Sequence, residues 1–283
     1  MGDREGLGPV GPGRVAVVTG AASGIGLGLS ERFAGEGMSV VMADVEEPAL
    51  SEAARALEAK GLEVLPVVTD VSRPEQVDAL RDRALEAFGA VHVLCNNAGV
   101  GGPVGPEWDT TLGDWQWVLG VNLWGVIHGV RAFLPVLLEQ EAAHVVNTAS
   151  VFGLFAGNFG PYSVSKHAVV ALTESLYFHL RESRVGVSVL CPGAVNTRFG
   201  NSERNRPAEA GPPTPPDPAA AATKEMMSRF STRGIDPPEV AGLVVDAIRS
   251  SRFYVLTAKF RNQAIQRRAE EILAGTPPAW PLS

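Results

Sequence analysis

The sequence predicts an α/β fold, a three-layer doubly wound sheet of about seven parallel strands in a single domain. Short apolar runs rich in β-branched residues alternate with longer helical patterns from Val15 onward, which is typical of stacked βαβ units. Most of these runs are continuously apolar, as expected for strands that helices cover on both faces. The chain has 283 residues, 45% hydrophobic and 19% charged, which suits one large globular domain.

The elements follow one another in regular alternation along the chain. The predicted strands are Arg14 to Thr19, Ser39 to Asp44, Val64 to Thr69, Val91 to Cys95, His144 to Ala149, Val187 to Cys191 and Phe253 to Leu256. The predicted helices are Gly24 to Gly35, Ala49 to Lys60, Arg73 to Phe88, Leu112 to Glu139, Pro161 to Ser183, Pro237 to Ser250 and Phe260 to Leu273. Ser72 with Glu75, and Thr111 with Asp114, are spaced as helix-capping boxes.

Three segments fall outside the alternation. Residues 1–13 form a Gly/Pro-rich, flexible N-terminal arm, and residues 276–283 form a C-terminal tail, which leaves 14–275 as the domain. Residues 198–236 contain a proline cluster that cannot continue a helix or a central strand. This insert is either a plain linker or a lid over a substrate, and the apolar residues Met226, Met227 and Phe230 favour the lid.

Charge and cysteine content exclude several classes of partner. The formal net charge of -7 disfavours nucleic acid, whose phosphates would repel the chain. We expect no membrane span, because no apolar stretch is about 20 residues long, and no metal site. Cys95 and Cys191 each end an apolar run and make no disulfide framework, which suits the cytoplasm.

A glycine-rich turn joins the first predicted strand to the first helix. Gly20, Ser23, Gly24, Ile25 and Gly26 lie in this turn. Glycines allow the backbone to approach a pyrophosphate closely, and the helix N-terminus offers free N–H groups to it. The position between a strand and a helix favours dinucleotide binding over a glycine turn without a ligand.

Asp44 ends the second predicted strand, 18 residues after Gly26. In dinucleotide-binding folds an acid at this point accepts hydrogen bonds from the adenosine ribose. Its carboxylate would repel the extra phosphate of NADP, and the glycine turn lacks the Arg or Lys that would attract that phosphate. We therefore predict NAD as the cofactor, although Asp44 on its own is also a plausible capping acid for the following helix.

Tyr162 and Lys166 are four residues apart at the start of a predicted helix, so they share one face. A free tyrosine has a pKa of about 10, and a fixed cation nearby favours the phenolate and lowers that pKa. Such a pair is found by chance in many helices. Its interpretation therefore depends on the residues around it.

Those residues resemble the short-chain dehydrogenase/reductase family. The sequence TGAASGIG, the NNAG of Asn96 to Gly99, Asn122, Ser150 and YSVSK match that family in order and spacing, over about residues 14 to 200. The resemblance implies a Rossmann-type fold, a nicotinamide cofactor and a catalytic tetrad. In that tetrad Tyr162 exchanges a proton with the substrate oxygen, Ser150 hydrogen-bonds the same oxygen and Lys166 also holds the nicotinamide ribose. Asn122 would hold a relay water, unless it is a satisfied helix amide.

The resemblance also assigns residues along the rest of the cofactor. It implies that Asp70 and Val71 contact the adenine ring and that Asn96 lies in the sheet beside the cofactor. It also implies that the nicotinamide end is surrounded by Pro192, Gly193, Val195 and Thr197, and that Asn97, Ala98 and Gly99 bind the cofactor between its two ends. Phe152, Phe155 and Phe159 lie where the family lines its substrate pocket, which favours an apolar substrate. Packing in the core or at a subunit contact is the other interpretation.

The expected activity is that of an NAD-dependent oxidoreductase that interconverts a bulky apolar secondary alcohol and its ketone. An NADP-dependent carbonyl reductase would share all of these residues, and would differ only in that Asp44 would not exclude the extra phosphate of NADP. A catalytically silent dinucleotide-binding scaffold, or a methyltransferase with a similar glycine turn, would not need the Tyr/Lys pair. The resemblance implies a homodimer or homotetramer formed through the helices from Leu112 and Pro161.

Overall fold

The computed structural model describes residues 8–157, 159–216, 218–258 and 262–279. Within them the strands are β1 (Val15–Thr19), β2 (Ser39–Asp44), β3 (Val64–Val68), β4 (Val93–Asn96), β5 (Ala143–Thr148), β6 (Val185–Cys191) and β7 (Tyr254–Leu256). The helices are α1 (Gly24–Gly35), α2 (Glu47–Glu58), α3 (Pro74–Phe88), α4 (Leu112–Leu119), α5 (Gly125–Leu138), α6 (Gly160–Leu180), α7 (Pro218–Ser231), α8 (Pro237–Arg249) and α9 (Asn262–Ala274).

The described strands form one parallel sheet in the order β3-β2-β1-β4-β5-β6-β7. This confirms the predicted fold class. The chain order reverses between β1 and β4, where Val17 is in register with Val41 on one side and Leu94 on the other. In an open α/β sheet, a ligand crevice forms at this reversal, beyond the carboxyl ends of the strands.

Helices cover both faces of the sheet, which explains why the strand sequences are continuously apolar. On one face, Leu29 and Phe33 of α1 pack with Leu50 of α2 and with α8. On the other face, Phe133 of α5 packs with Leu176 of α6 and with α3. Burying such a side chain fully contributes about 1.5–3 kcal/mol relative to leaving it in water.

Two local predictions about helices need correction. Ser72 does not cap α3, because Arg73 is the N-cap residue and the Ser72 hydroxyl donates to Asp70 Oδ1 at 2.7 Å instead. The helix predicted from Leu112 to Glu139 contains a π-helical turn at Gly120–Trp124. Thr111 caps α4 as predicted, since its Oγ1 accepts from the backbone N–H of Asp114 at 3.1 Å, but the reciprocal bond of a capping box is not made, because Thr111 N donates to Thr214 Oγ1.

The continuous helical run Leu112–Leu138 is long and apolar enough to cross a membrane by length and composition, contrary to the sequence-based expectation. In the part of the chain that the structure describes, 44% of its most apolar window is buried. Its inner face supplies Phe133 to the core, as in an ordinary core helix of a globular protein. The apolar composition is therefore weak evidence for a membrane.

The insert at 198–236 is folded rather than extended. Two 3₁₀ turns, Phe199–Asn205 and Ala208–Ala210, precede α7. Pro218 opens α7, a position where proline costs the helix nothing. Parts of the predicted arm and tail, at 1–7 and 280–283, lie outside the described residues. The start of the last predicted helix, at 260–261, also lies outside them, as do the side chains of Met226, Met227 and Phe230.

Candidate active site

A cleft of about 390 Å³ lies along the carboxyl ends of the strands. It is lined by residues from every part of the predicted cofactor site, namely Gly20, Ser23, Gly24, Ile25, Asp44, Asp70, Val71, Asn97, Ala98, Gly99, Tyr162, Lys166, Pro192, Gly193, Val195 and Thr197, together with Ser150. Of the predicted cofactor-binding and catalytic residues, Gly26, Asn96 and Asn122 do not line it. The structure therefore brings the sequence-predicted residues together at one surface.

The glycine turn has the conformation that a close ligand approach requires. Gly20 has φ of 68° and Gly24 has φ of 55°, a backbone conformation that residues other than glycine rarely adopt. Gly26 packs α1 against the turn, because a Cβ there would lie 2.0 Å from the Gly20 carbonyl oxygen. Ser23 is the N-cap residue of α1, but its side chain makes no capping bond. The N-terminus of α1 therefore faces the cleft with its hydrogen-bond donors, as an anion site requires.

Asp44 is fixed at the end of β2 by two backbone donors. Its Oδ2 accepts from Ala22 N at 2.9 Å in the glycine turn, and its Oδ1 accepts from Glu46 N at 3.0 Å. Each carboxylate oxygen has two lone pairs, so each can accept a further bond from a ribose hydroxyl. The second bond places Asp44 in the turn before α2, whose N-cap residue is Glu46, so Asp44 is not itself the capping acid of that helix, and its role toward a ribose stays a prediction.

The ends of three neighbouring strands are tied together beneath the cleft. Thr19 Oγ1 accepts from Asn97 N at 2.9 Å and from Ala98 N at 3.0 Å, while Asn97 Nδ2 donates to Thr19 O at 2.9 Å. Thr148 Oγ1 reaches Asn97 Oδ1 at 3.3 Å. Asn96 instead does not line the cleft, and its Nδ2 donates to Asn147 Oδ1 on the neighbouring strand β5 at 2.9 Å. Thr19 and Thr148 were missed by motif reasoning, because their hydroxyls act between strands.

The predicted acid/base groups converge at the other end of the cleft. Ser150 and Tyr162 both line this end, where the Ser150 side chain favours the ionised form of the Tyr162 phenol and so acts to lower its pKa. Lys166 is buried, and its Nζ donates to Thr148 O at 2.9 Å and lies 5.8 Å from the centre of the Tyr162 ring. The 3₁₀ turn after Ser150 is bound to the end of β6 through Val151 N and Pro192 O at 3.0 Å. Backbone contacts therefore fix the position of Ser150.

The electrostatics of this pair differ from the expectation that Lys166 lowers the pKa of Tyr162. Loss of solvation raises the pKa of Tyr162 to about 12, and the hydrogen bond with Ser150 opposes that shift. Burial also lowers the pKa of Lys166 to about 8. Desolvation outweighs the attraction between phenolate and ammonium in this structure. Tyr162 and Lys166 lie on one face of the helix as predicted, whereas the pKa of Tyr162 is raised rather than lowered.

Asn122 lies in the π-helical turn with its amide fully occupied. Its Oδ1 accepts from Val100 N at 2.8 Å, and its Nδ2 donates to Val100 O at 2.9 Å and to Ser165 Oγ at 3.1 Å. This matches the satisfied-amide interpretation. Through these bonds Asn122 joins the loop after β4 to α6, the helix that carries Tyr162.

Phe152, Phe155 and Phe159 pack as a small core and do not line the cleft. All three are buried, with ring centres 5.5 Å apart for Phe152 and Phe155 and 4.5 Å apart for Phe152 and Phe159. Ala258 and Ala264 complete this cluster. The interpretation of these aromatic residues as core is the one that the structure supports.

Residues 199–214, which we call the strap, cross the cleft from one end to the other. Phe199, Ser202, Arg204, Asn205 and Pro207 line the cleft, and none of them was predicted. The ring of Phe199 lies 5.7 Å from that of Tyr162, and Ser202 Oγ accepts from Gly101 N at 2.9 Å. The bond between Ser202 and Gly101 joins positions 101 residues apart in the chain, which no local pattern indicates.

Comparison with known proteins agrees with this geometry. Residues 14–208 match the short chain dehydrogenase family. The chain is 44% identical to 1-deoxy-11-beta-hydroxypentalenate dehydrogenase of Streptomyces exfoliatus over 86% of this chain and 82% of that protein, and 36% identical to 3beta-hydroxysteroid dehydrogenase 2 of Eggerthella lenta over 72% and 78%. A crystal structure of a short chain dehydrogenase/reductase from Burkholderia phymatum in complex with NAD superposes with a TM-score of 0.94, at 46% identity, over 98% of this chain and 100% of that chain.

Proposed function

The chain belongs to the short-chain dehydrogenase/reductase family and is an oxidoreductase that interconverts secondary alcohols and ketones; we propose that it uses NAD and acts on a bulky apolar substrate. The observation that carries this proposal is the placement of Ser150 and Tyr162 in the same cleft as the glycine turn and Asp44. Such a site serves hydride transfer at one end and cofactor recognition at the other.

In the proposed mechanism Tyr162 is the acid and base. Its hydroxyl would donate a proton to the carbonyl oxygen during reduction, which leaves the phenolate, and the phenolate would accept the proton of the alcohol during oxidation, as Ser150 holds the same oxygen by a hydrogen bond. When bound, the nicotinamide supplies or accepts the hydride. Lys166 would contact the nicotinamide ribose, and Asn122 positions α6 through Ser165. In the chain as described, the Lys166 ammonium is held by Thr148 O.

The residues present fit a dinucleotide along the whole cleft. The glycine turn and the N-terminus of α1 would hold the pyrophosphate, and Asp44 the adenosine ribose. Asp70 and Val71 would contact the adenine, while Pro192, Gly193, Val195 and Thr197 would surround the nicotinamide. Gly193 is suited to close packing, since a Cβ there would lie 2.5 Å from the Ala258 Cβ.

Preference for NAD over NADP is tested by titrating the protein with each oxidised cofactor by calorimetry. We expect tighter binding of NAD, because an unpaired carboxylate facing a phosphate costs more than a lost ribose hydrogen bond. Asp44→Ala should narrow the preference. Tighter binding of NADP by the unaltered protein would overturn the assignment to NAD and favour the carbonyl reductase alternative.

The substrate class is supported by the apolar lining of the reactive end and by the substrates that the names of two relatives give. Val100, Trp117, Val121 and Phe199 line the cleft together with Tyr162. The relatives named above act on a hydroxypentalenate and on a hydroxysteroid. Screening NAD-linked oxidation of steroid and terpenoid alcohols against small polar alcohols tests this point. Faster turnover of the small polar alcohols would contradict it.

A second copy of this chain is the partner we propose, in the cytoplasm, as a homodimer or homotetramer. The π-helical turn before α5, α5 itself and α6 expose large apolar side chains, namely Trp124 in the turn, Leu138 in α5, and Val164, Tyr177 and Phe178 in α6. Apolar surface of this kind is typical of subunit contacts. Light scattering after gel filtration measures the oligomer, and Val164→Glu, which adds a charge without touching the cleft, should weaken it.

A further inference from the structure

An ion pair between the strap and the β2–α2 loop lies beside the acid proposed to hold the adenosine ribose. Arg204 Nη2 lies 2.6 Å from Glu46 Oε1, and Arg204 Nε lies 3.1 Å from both carboxylate oxygens. Asn205 Nδ2 donates to the same Oε1 at 2.9 Å. The Glu46 backbone N–H in turn donates to Asp44 Oδ1. Asp44, Glu46 and Arg204 therefore form one connected group, and all three line the cleft.

The pair is mostly shielded from solvent, with 26% of the Arg204 side chain and 22% of the Glu46 side chain exposed. Arg204 is held from behind as well, since its Nη1 donates to Asn201 O at 2.8 Å. The Arg204 guanidinium holds the pKa of Glu46 below its usual range. The carboxylate of Glu46 is therefore charged at neutral pH and neutralises Arg204 in place.

The charged residues that line the cleft show why the ion pair between Glu46 and Arg204 matters for the choice between NAD and NADP. Among the described residues that line the cleft, Asp44, Glu46 and Asp70 are acidic, and Lys166 and Arg204 are the cations. Lys166 lies at the reactive end beside Tyr162, so Arg204 is the cation next to the ribose-binding acid. A guanidinium binds phosphate through two parallel hydrogen bonds and is the usual partner of a 2′-phosphate.

We propose that Glu46 is a second determinant of cofactor selectivity, because it occupies the guanidinium of Arg204 and so withholds it from a 2′-phosphate. Asp44 repels that phosphate directly, whereas Glu46 acts by occupying the cation that lines the cleft beside it. Loss of the Glu46 charge leaves Arg204 free beside the ribose site. This inference rests on the proposed dinucleotide site and goes beyond the preference that Asp44 alone predicts.

The test is a cycle of three variants, Glu46→Gln, Arg204→Gln and the double variant, each titrated with oxidised NAD and NADP by calorimetry at low salt. Glu46→Gln should tighten NADP binding by about tenfold, the effect of one partly screened charge at close range, and change NAD binding within a few-fold. Arg204→Gln in that background should remove the gain. Arg204→Gln alone should weaken NADP binding, because it leaves the Glu46 charge unpaired.

The matched control is Glu36→Gln, which breaks an ion pair with Arg249 at 2.5 Å between α1 and α8, outside the cleft. It should change neither affinity. The proposal is overturned if Glu46→Gln leaves the ratio of NADP to NAD affinity unchanged, or if the double variant retains the gain, since Arg204 would then have no part in it. Preference of the unaltered protein for NADP would refute the proposed cofactor, and the shift within the cycle is read independently of that preference.

Discussion

The catalytic end of the cleft and the strap above it are held in place by different kinds of interaction. Ser150 and Lys166 are fixed by buried contacts with backbone atoms, such as the 2.9 Å bond from Lys166 Nζ to Thr148 O. The strap is fixed by side-chain ion pairs to distant elements, Arg204 with Glu46, Arg206 with Asp114 and Arg73 with Glu209. The acid/base groups thus lie on a rigid frame, whereas the position of the strap depends on charges that a single substitution removes.

The largest effect that we expect is at the catalytic end. Tyr162→Phe removes one oxygen and little packing, so it should leave NAD affinity within a few-fold of the parent value. Turnover of a verified substrate should fall by at least about 100-fold, as is typical when a general acid/base is lost. Steady-state kinetics and cofactor titration on the same preparation separate the two quantities. Near-parent turnover would contradict the proposed mechanism and leave the cofactor assignment intact.

A buried ion pair holds the far end of the strap, and breaking it gives the next largest effect. Asp114 is fully buried, and its Oδ1 accepts from Arg206 Nη1 at 2.7 Å while Oδ2 accepts from Thr214 Oγ1 at 2.6 Å. Asp114→Ala leaves Glu203, at 3.5 Å, as the carboxylate that faces the guanidinium of Arg206. The free energy of unfolding should fall by about 3 kcal/mol, measured by urea denaturation.

The same variant tests whether the strap behaves as a lid. Trypsin should cut after Arg204 faster in Asp114→Ala than in the parent, and saturating NAD with a substrate should slow the cut in both. Asp109→Ala, which removes an exposed carboxylate from the same loop, is the control. Cleavage that is unchanged by ligands would leave the strap as a plain linker.

The sequence predicted the catalytic end far better than the strap, for a physical reason. Tyr162 and Lys166 are one helical turn apart, and Gly20 to Gly26 form one strand–helix junction, so local spacing fixes their geometry. The strap contacts, such as Glu46 with Arg204, join residues whose spacing carries no signal. Phe152 and its neighbours were ambiguous because an aromatic residue near a pocket and one in a small core have the same composition. The direction of the Tyr162 pKa shift depends on burial, which no motif reports.

Lys166 is expected to reduce stability at neutral pH although it serves the chemistry. Burial lowers its pKa to about 8, below the unfolded value of 10.5. Between these values the unfolded chain binds a proton that the native protein lacks, so Lys166 makes the free energy of unfolding rise with pH relative to a chain without it. Lys166→Met lacks this rise, which amounts to about 1.4 kcal/mol per unit of pKa shift.

Urea denaturation at several pH values from 7 to 9.5 measures the difference in slope between the parent and Lys166→Met. These pH values lie below the range in which Tyr162 titrates in the native protein. The lost bond to Thr148 O lowers the stability of Lys166→Met at every pH, so only the slope against pH is diagnostic. Parallel curves for parent and variant would show that Lys166 is not desolvated as the structure indicates. Lys60→Met is the control, because Lys60 pairs with Glu31 in an exposed ion pair.

The smallest effect is expected from the exposed ion pair near the end of the strap. Arg73 Nη2 lies 2.7 Å from Glu209 Oε1, with 51% and 64% of the two side chains exposed. Water screens such a pair, so Arg73→Gln should lower the free energy of unfolding by less than about 1 kcal/mol. At 1 M salt the Debye length is about 3 Å, and this difference should vanish, whereas the loss from Asp114→Ala should persist because that pair is buried. A loss from Arg73→Gln that equals the loss from Asp114→Ala and resists salt would contradict the distinction, and would mean that the strap is held by its surface contacts as firmly as by its buried one.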